Sequence, residues 1–173
     1  VFDDADIDSA INGAVGGIFA ASGQSCVAGS RVYVHEDVAD EFLERLQGIA
    51  ASVRIGDPMT EETQMGPLCT HAQLDTIERE VARAQSEGAN VIYGGRQPAG
   101  RTGLFYEPTI LECPRQDLHI VDTELFGPVV TVLRFRDEEE VVRLANTSQY
   151  GLAAGVFTRD GARSLRMAEA LKA

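Results

Sequence analysis

Apolar residues in this 173-residue chain switch between a helical and a strand period about every 25 residues, and that alternation restricts the fold more than any other feature. Ile7, Ile11, Val15 and Ile18 form one helical stripe behind the acidic run Asp3-Asp4-Ala5-Asp6. Gly13, Gly16 and Gly17 lower its propensity, so close packing against a neighbour is the expected reason for them. Arg31–His35 alternates as a strand, and Val38, Phe42, Leu46 and Ile49 mark the next helix. Gly56-Asp57-Pro58 is a turn. Thr70 with Gln73 is a capping-box pattern that opens a helix through Leu74, Ile77, Val81 and Ala84, closed by Gly88. Strands are expected at Val91–Tyr93, Tyr106–Leu111, Val129–Phe135 and Leu152–Phe157. Helices are expected over Asp137–Ala145 and after Asp160. Strands alternating with helices imply an α/β fold: an open, largely parallel twisted sheet with helices on both faces, in one domain over residues 1–173.

Charge and composition remove several classes of function. A net charge of −12 with no Lys/Arg cluster disfavours nucleic acid and anionic membrane surfaces as partners. No apolar run approaches the roughly 18 residues needed to span a bilayer. No secretory leader opens the sequence, so the Asn146-Thr147-Ser148 glycosylation pattern is read as noise. Neither GxGxxG after a strand nor GxxxxGK[ST] occurs, so the sheet carries no phosphate-loop signature. Cys26, Cys69 and Cys113 are scattered, odd in number and without a CxxC pair, which argues against a disulfide framework and a metal site and suits a reducing cytoplasm. Cys69 and Cys113 are expected to be small buried hydrophobes. His35, His71 and His119 show no partner pattern and are expected at the surface.

Cys26 differs in its setting. It lies among small residues, Ser22-Gly23-Gln24-Ser25-Cys26-Val27-Ala28-Gly29-Ser30-Arg31, between a predicted helix and a predicted strand. A thiol held by a tight loop between two elements is a candidate nucleophile. Further along come Gly56-Asp57-Pro58 with Met65-Gly66-Pro67-Leu68, then Glu124-Leu125-Phe126-Gly127-Pro128-Val129, then Asn146-Thr147-Ser148-Gln149-Tyr150-Gly151-Leu152-Ala153. With Gly23-Gln24-Ser25-Cys26 and Gly29-Ser30-Arg31, these four segments resemble the aldehyde dehydrogenase superfamily in order and spacing over nearly the whole chain.

The resemblance implies the catalytic part of an enzyme that oxidises an aldehyde to a carboxylic acid with NAD or NADP. It makes Cys26 the nucleophile, through a thiohemiacetal and a thioester, with its backbone N–H as an oxyanion donor. It makes Glu124 and Phe126 cofactor contacts, the carboxylate on the nicotinamide ribose and the ring near the nicotinamide. Thr123 stands where the family often has a second acid. Gln73 falls near a family position that touches the adenosine end of the cofactor, but Thr76 replaces the lysine expected three residues on, so a capping role is expected for Gln73. The turn around Asn146, Tyr150 and Gly151 is expected near the active-site side. The family also implies that most of the cofactor-binding domain, the water-activating glutamate, the asparagine of the oxyanion hole and the C-terminal strands lie outside these residues. The isolated segment is therefore expected to be inactive, and the full-length protein is expected to be a homo-oligomer. Two other readings stay open: a non-enzymatic association or regulatory remnant that keeps the fold, and a coenzyme A-acylating semialdehyde dehydrogenase of the same family.

Overall fold

The computed structural model describes all of residues 1–173. Its helices are α1 (Ile7–Ile18), α2 (Glu36–Ser52), α3 (His71–Ser86), α4 (Glu138–Ala145) and α5 (Gly161–Ala170). Its strands are β1 (Arg31–His35), β2 (Asn90–Tyr93), β3 (Thr109–Glu112) and β4 (Val129–Phe135), with a 3-10 turn at His119–Asp122 and an irregular turn at Ala20–Gly23. The helix starts follow local chemistry. Asp6, Thr70, Asp137 and Asp160 each accept a backbone N–H from the first turn of the helix that follows, satisfying a donor the helix itself leaves free.

The sheet order is β1-β4-β3-β2. β1 and β3 both run parallel to β4, whereas β2 pairs antiparallel to β3 at one edge. β4 is therefore central, and only Arg134 of its seven residues is exposed. Its side chains alternate between two cores, as the strand period requires. Val130 and Val132 join Val34 and Ile110 under Ile11 and Ile18 of α1 and Phe42 and Leu46 of α2. Val129 and Leu133 join Leu111 on the opposite face, under Ile77 and Val81 of α3. Each fully buried large side chain contributes about 1.5–3 kcal/mol of transfer free energy. Helices on both faces and a mostly parallel α/β sheet are thus borne out. A smaller cluster of Phe2, Phe135, Val141 and Met167 attaches α4 and α5.

Two strand expectations change. The strand expected from Tyr106 begins at Thr109, because Pro108 has no N–H to give the ladder. Leu152–Phe157 is not a strand. The outer edge of β1 is already engaged by Val1, whose amine donates to Tyr33 O (2.7 Å) and whose carbonyl accepts from His35 N (2.9 Å). The 152–157 segment reaches this layer only where Phe157 O accepts from Phe2 N (3.0 Å), and Leu152–Gly155 stays exposed. The Phe157 ring fills the space beside Gly13, where a Cβ would overlap it, so close packing does explain that glycine.

Candidate active site

Cys26 sits in a tight turn closed by Ala28 N–H donating to Ser25 O (3.1 Å), in the passage from α1 to β1. Its thiol is exposed, and its backbone N–H has no partner in the chain. The loop is tied on both sides. Before the cysteine, Ser22 Oγ donates to Gly66 O (2.9 Å), and Gln24 Oε1 accepts from Cys69 N (2.9 Å). After it, Gly29 N donates to Gly17 O (3.0 Å), and Thr131 N donates to Ser30 O (2.9 Å). Ala21, Ser22 and Gly23 all have positive φ (50°, 56° and 68°), a left-handed run costly for the two non-glycine residues. The run turns the chain sharply at the end of α1, and the ties to Gly66 and Cys69 hold it.

Glu124, Leu125 and Phe126 form a second loop leading into β4. Leu125 is buried in the α3-side core, which anchors the loop and leaves Glu124 and Phe126 exposed on either side of it. Phe126 has φ 54°. The next residue, Gly127, is wedged between Ile77 of α3 and the backbone of Gly23: a Cβ at Gly127 would overlap Ile77, and one at Gly23 would overlap Gly127 O. That glycine-to-glycine approach seats the cysteine loop directly on the Glu124–Phe126 loop. Both loops line one cleft of about 620 Å³, together with Gly13 and Gly17 of α1, Val121, Thr123 and Tyr150–Phe157. The carboxylate of Glu124 makes no hydrogen bond or ion pair within the chain, and Phe126 shows 40% of its surface. An unpaired carboxylate beside an exposed ring has the chemistry to meet a ribose diol and a flat heterocycle, so the residues present suit the nicotinamide end of a dinucleotide.

The fold thus brings Cys26, Glu124 and Phe126 to one cleft. The turn around Tyr150 and Gly151 also faces it, and Asn146, just after α4, ties down the C-terminal end of α5: its carboxamide donates to Ala170 O and accepts from Lys172 N, both at 2.9 Å. Other expectations need correction. Cys113 is buried, but Cys69 is exposed, because it sits in the loop just before the Thr70 cap. Only half of the capping box forms. Thr70 Oγ1 accepts from Gln73 N (3.1 Å), but the Gln73 carboxamide turns away and donates to Leu125 O and to Phe126 O (3.1 Å for the latter). Two histidines have partners. His35 Nδ1 accepts from Asp37 N (3.3 Å) while its ring packs edge-on against Phe135, and His119 Nδ1 lies 3.0 Å from the buried carboxylate of Glu80 and 3.2 Å from Thr123 Oγ1. The roles of Ser22, Gln24 and Gln73 have no local sequence signal, since each partner lies more than 40 positions away. No group of His, Cys, Asp and Glu is arranged to hold a metal ion, and no helix is long and apolar enough to cross a membrane.

The family model described as "Aldehyde dehydrogenase family" matches residues 1–173. Betaine aldehyde dehydrogenase of Brucella anthropi is 47% identical over 176 residues, covering 100% of this chain and 36% of that protein. The (Z)-2-((N-methylformamido)methylene)-5-hydroxybutyrolactone dehydrogenase of Acinetobacter baylyi is 46% identical over 99% of this chain and 35% of its own length. An aldehyde dehydrogenase structure from Bacillus cereus superimposes with a TM-score of 0.97 at 42% identity, covering 100% of this chain and 35% of that one. Its NAD+ complex superimposes at 0.95. The chain therefore spans about a third of the length of the relatives it matches.

Proposed function

Because the chain belongs to the aldehyde dehydrogenase family, we propose that it is the thiol-bearing part of an NAD(P)-dependent enzyme that oxidises an aldehyde to a carboxylic acid. The carrying observation is the convergence of an exposed thiol with a free backbone N–H, an unpaired carboxylate and an exposed ring on one cleft, through the Gly23–Gly127 contact. Cys26 Sγ, as thiolate, adds to the carbonyl carbon, and the carbonyl π pair moves onto oxygen. The unpartnered Cys26 N–H is free to donate to that oxyanion, an interaction worth about 3 kcal/mol in comparable sites. When bound, the dinucleotide supplies a two-electron hydride acceptor. Glu124 would hold its ribose and Phe126 its ring. Oxidation leaves the acyl group on Cys26 as a thioester, and water cleaves it to release the acid and restore the thiol.

The base that activates this water and the second oxyanion donor are, by the family reading, supplied from beyond these residues. The 173-residue segment alone is therefore expected to form no NADH from aldehydes. The three free cysteines support a reducing, cytoplasmic setting, and the homo-oligomeric state of the full polypeptide rests on the family resemblance. The test is made in the full polypeptide carrying this sequence. Cys26→Ser is expected to lower NADH formation over an aldehyde panel by at least about a thousandfold. Brief turnover of the unaltered enzyme, with acid quench and mass spectrometry, is expected to place an acyl adduct on the peptide containing Cys26. Persistence of activity in the serine variant overturns the reading.

A further inference from the structure

Glu124, Leu125 and Phe126 neither donate nor accept a backbone–backbone hydrogen bond, and Phe126 is held in a left-handed conformation that a non-glycine residue avoids when free. Apart from the burial of Leu125, the polar contacts that hold this turn all come from one side chain: the Nε2 group of Gln73, donating to Leu125 O and Phe126 O. Gln73 is itself fixed at the third position of α3, where Thr70 Oγ1 accepts its N–H (3.1 Å). The same stretch of chain grips the other loop, since Cys69 N donates to Gln24 Oε1 and Gly66 O accepts from Ser22 Oγ. The segment Gly66–Gln73 thus clasps the thiol loop with one end and the Glu124–Phe126 loop with the other.

We infer that Gln73 is a positioning residue: its carboxamide holds the Leu125 and Phe126 carbonyls and so presents Glu124 and Phe126 to the nicotinamide end of the dinucleotide. This rests on the cofactor reading of Glu124 and Phe126 given above. The Gln73 Nε2 group donates to these two carbonyls and to no other group, so its effect on the cofactor passes through the turn. The role differs from a direct contact at the adenosine end and predicts a different pattern of coupling.

The experiment uses the full polypeptide and Gln73→Met, which keeps the length of the side chain and removes its donors without adding charge. Gln73→Ala serves if the methionine variant folds poorly. The calorimetric Kd for NAD+ is expected to rise about tenfold, and the rate of Cys26 alkylation by iodoacetamide without cofactor to stay within about twofold. In a background carrying both Glu124→Ala and Phe126→Ala, adding Gln73→Met is expected to change the Kd by less than about twofold. No change in Kd for the single variant overturns the inference. So does a tenfold loss that persists in the double-alanine background, which would mean direct contact with the cofactor. If the double-alanine background binds NAD+ as tightly as the parent, the cofactor reading of Glu124 and Phe126 falls and takes the inference with it, an outcome read without any Gln73 variant.

Discussion

At Cys113, burial pushes the thiol pKa up to about 12, whereas Cys26 and Cys69 are exposed. Alkylation requires thiolate and access, and Cys113 is short of both. In the folded chain at pH 8, mass spectrometry is expected to find Cys113 labelled about a thousandfold more slowly than an ordinary exposed thiol, and to find it labelled readily once urea unfolds the chain. Gly23 is the backbone counterpart. Its φ of 68° and its approach to Gly127 O leave no room for a side chain, and the obstacle is backbone that cannot swing aside. Gly23→Ala is expected to destabilise by about 2 kcal/mol or more, seen as a lower urea midpoint, and to slow Cys26 acylation because the thiol loop must shift.

Among the elements, α5 buries little and carries a dense cluster of ion pairs to α4 and to the N-terminal segment. Met167 is its one buried residue. Arg163 bonds Glu138 (3.1 Å), Asp4 (2.9 Å) and Asp3 (3.4 Å) and lies 4.6 Å above the Phe2 ring, while Arg166 bonds Glu138 (2.7 Å). Hydrogen bonding from Arg166, and then from Arg163, brings the Glu138 pKa down to about 2 from an ordinary 4.5. A depressed carboxylate favours the folded state above its unfolded pKa, and that contribution disappears as protons bind the folded form. Docking of α5 is therefore expected to be intact above about pH 4.5 and to loosen as pH falls towards 2, read as faster hydrogen exchange in residues 161–170. Glu138→Gln should give the fast exchange already at neutral pH and flatten the profile. At α3, Thr70→Ala removes the cap and is expected to cost about 1 kcal/mol in thermal stability.

The whole molecule is a sheet between two apolar layers that share few side chains. Phe42 and Ile77 are fully buried on opposite faces. Phe42→Ala and Ile77→Ala are each expected to cost roughly 2–5 kcal/mol, and the double variant to show the sum within about 0.5 kcal/mol, since the sheet separates the two sites. Ile77 also packs against Gly127, under the Glu124–Phe126 loop, so only its replacement should weaken NAD+ binding in the full polypeptide.

Much of this architecture is legible in the sequence, because it depends on local rules. Apolar period sets which segments are helices and which are strands, and Asp6, Thr70, Asp137 and Asp160 mark helix starts through hydrogen bonds only two or three residues long. Cys26, Glu124 and Phe126 stand out through the residues beside them. Other features depend on partners far along the chain. Leu152–Phe157 has a strand-like pattern but no free edge to join, since Val1 occupies the outer side of β1. Cys69 is expected to be buried, as free cysteines usually are, and sits exposed on a surface loop. Gln73 reads as half of a capping box, yet its carboxamide is claimed by carbonyls some 50 residues away. Sequence by itself therefore determined most of the elements and their alternation, and it singled out Cys26, Glu124 and Phe126 as candidates. Only the tertiary structure decided which edges pair, which polar groups find each other and how the two loops meet at Gly23 and Gly127, because those free energies belong to contacts between distant segments rather than to the period or propensity of either one.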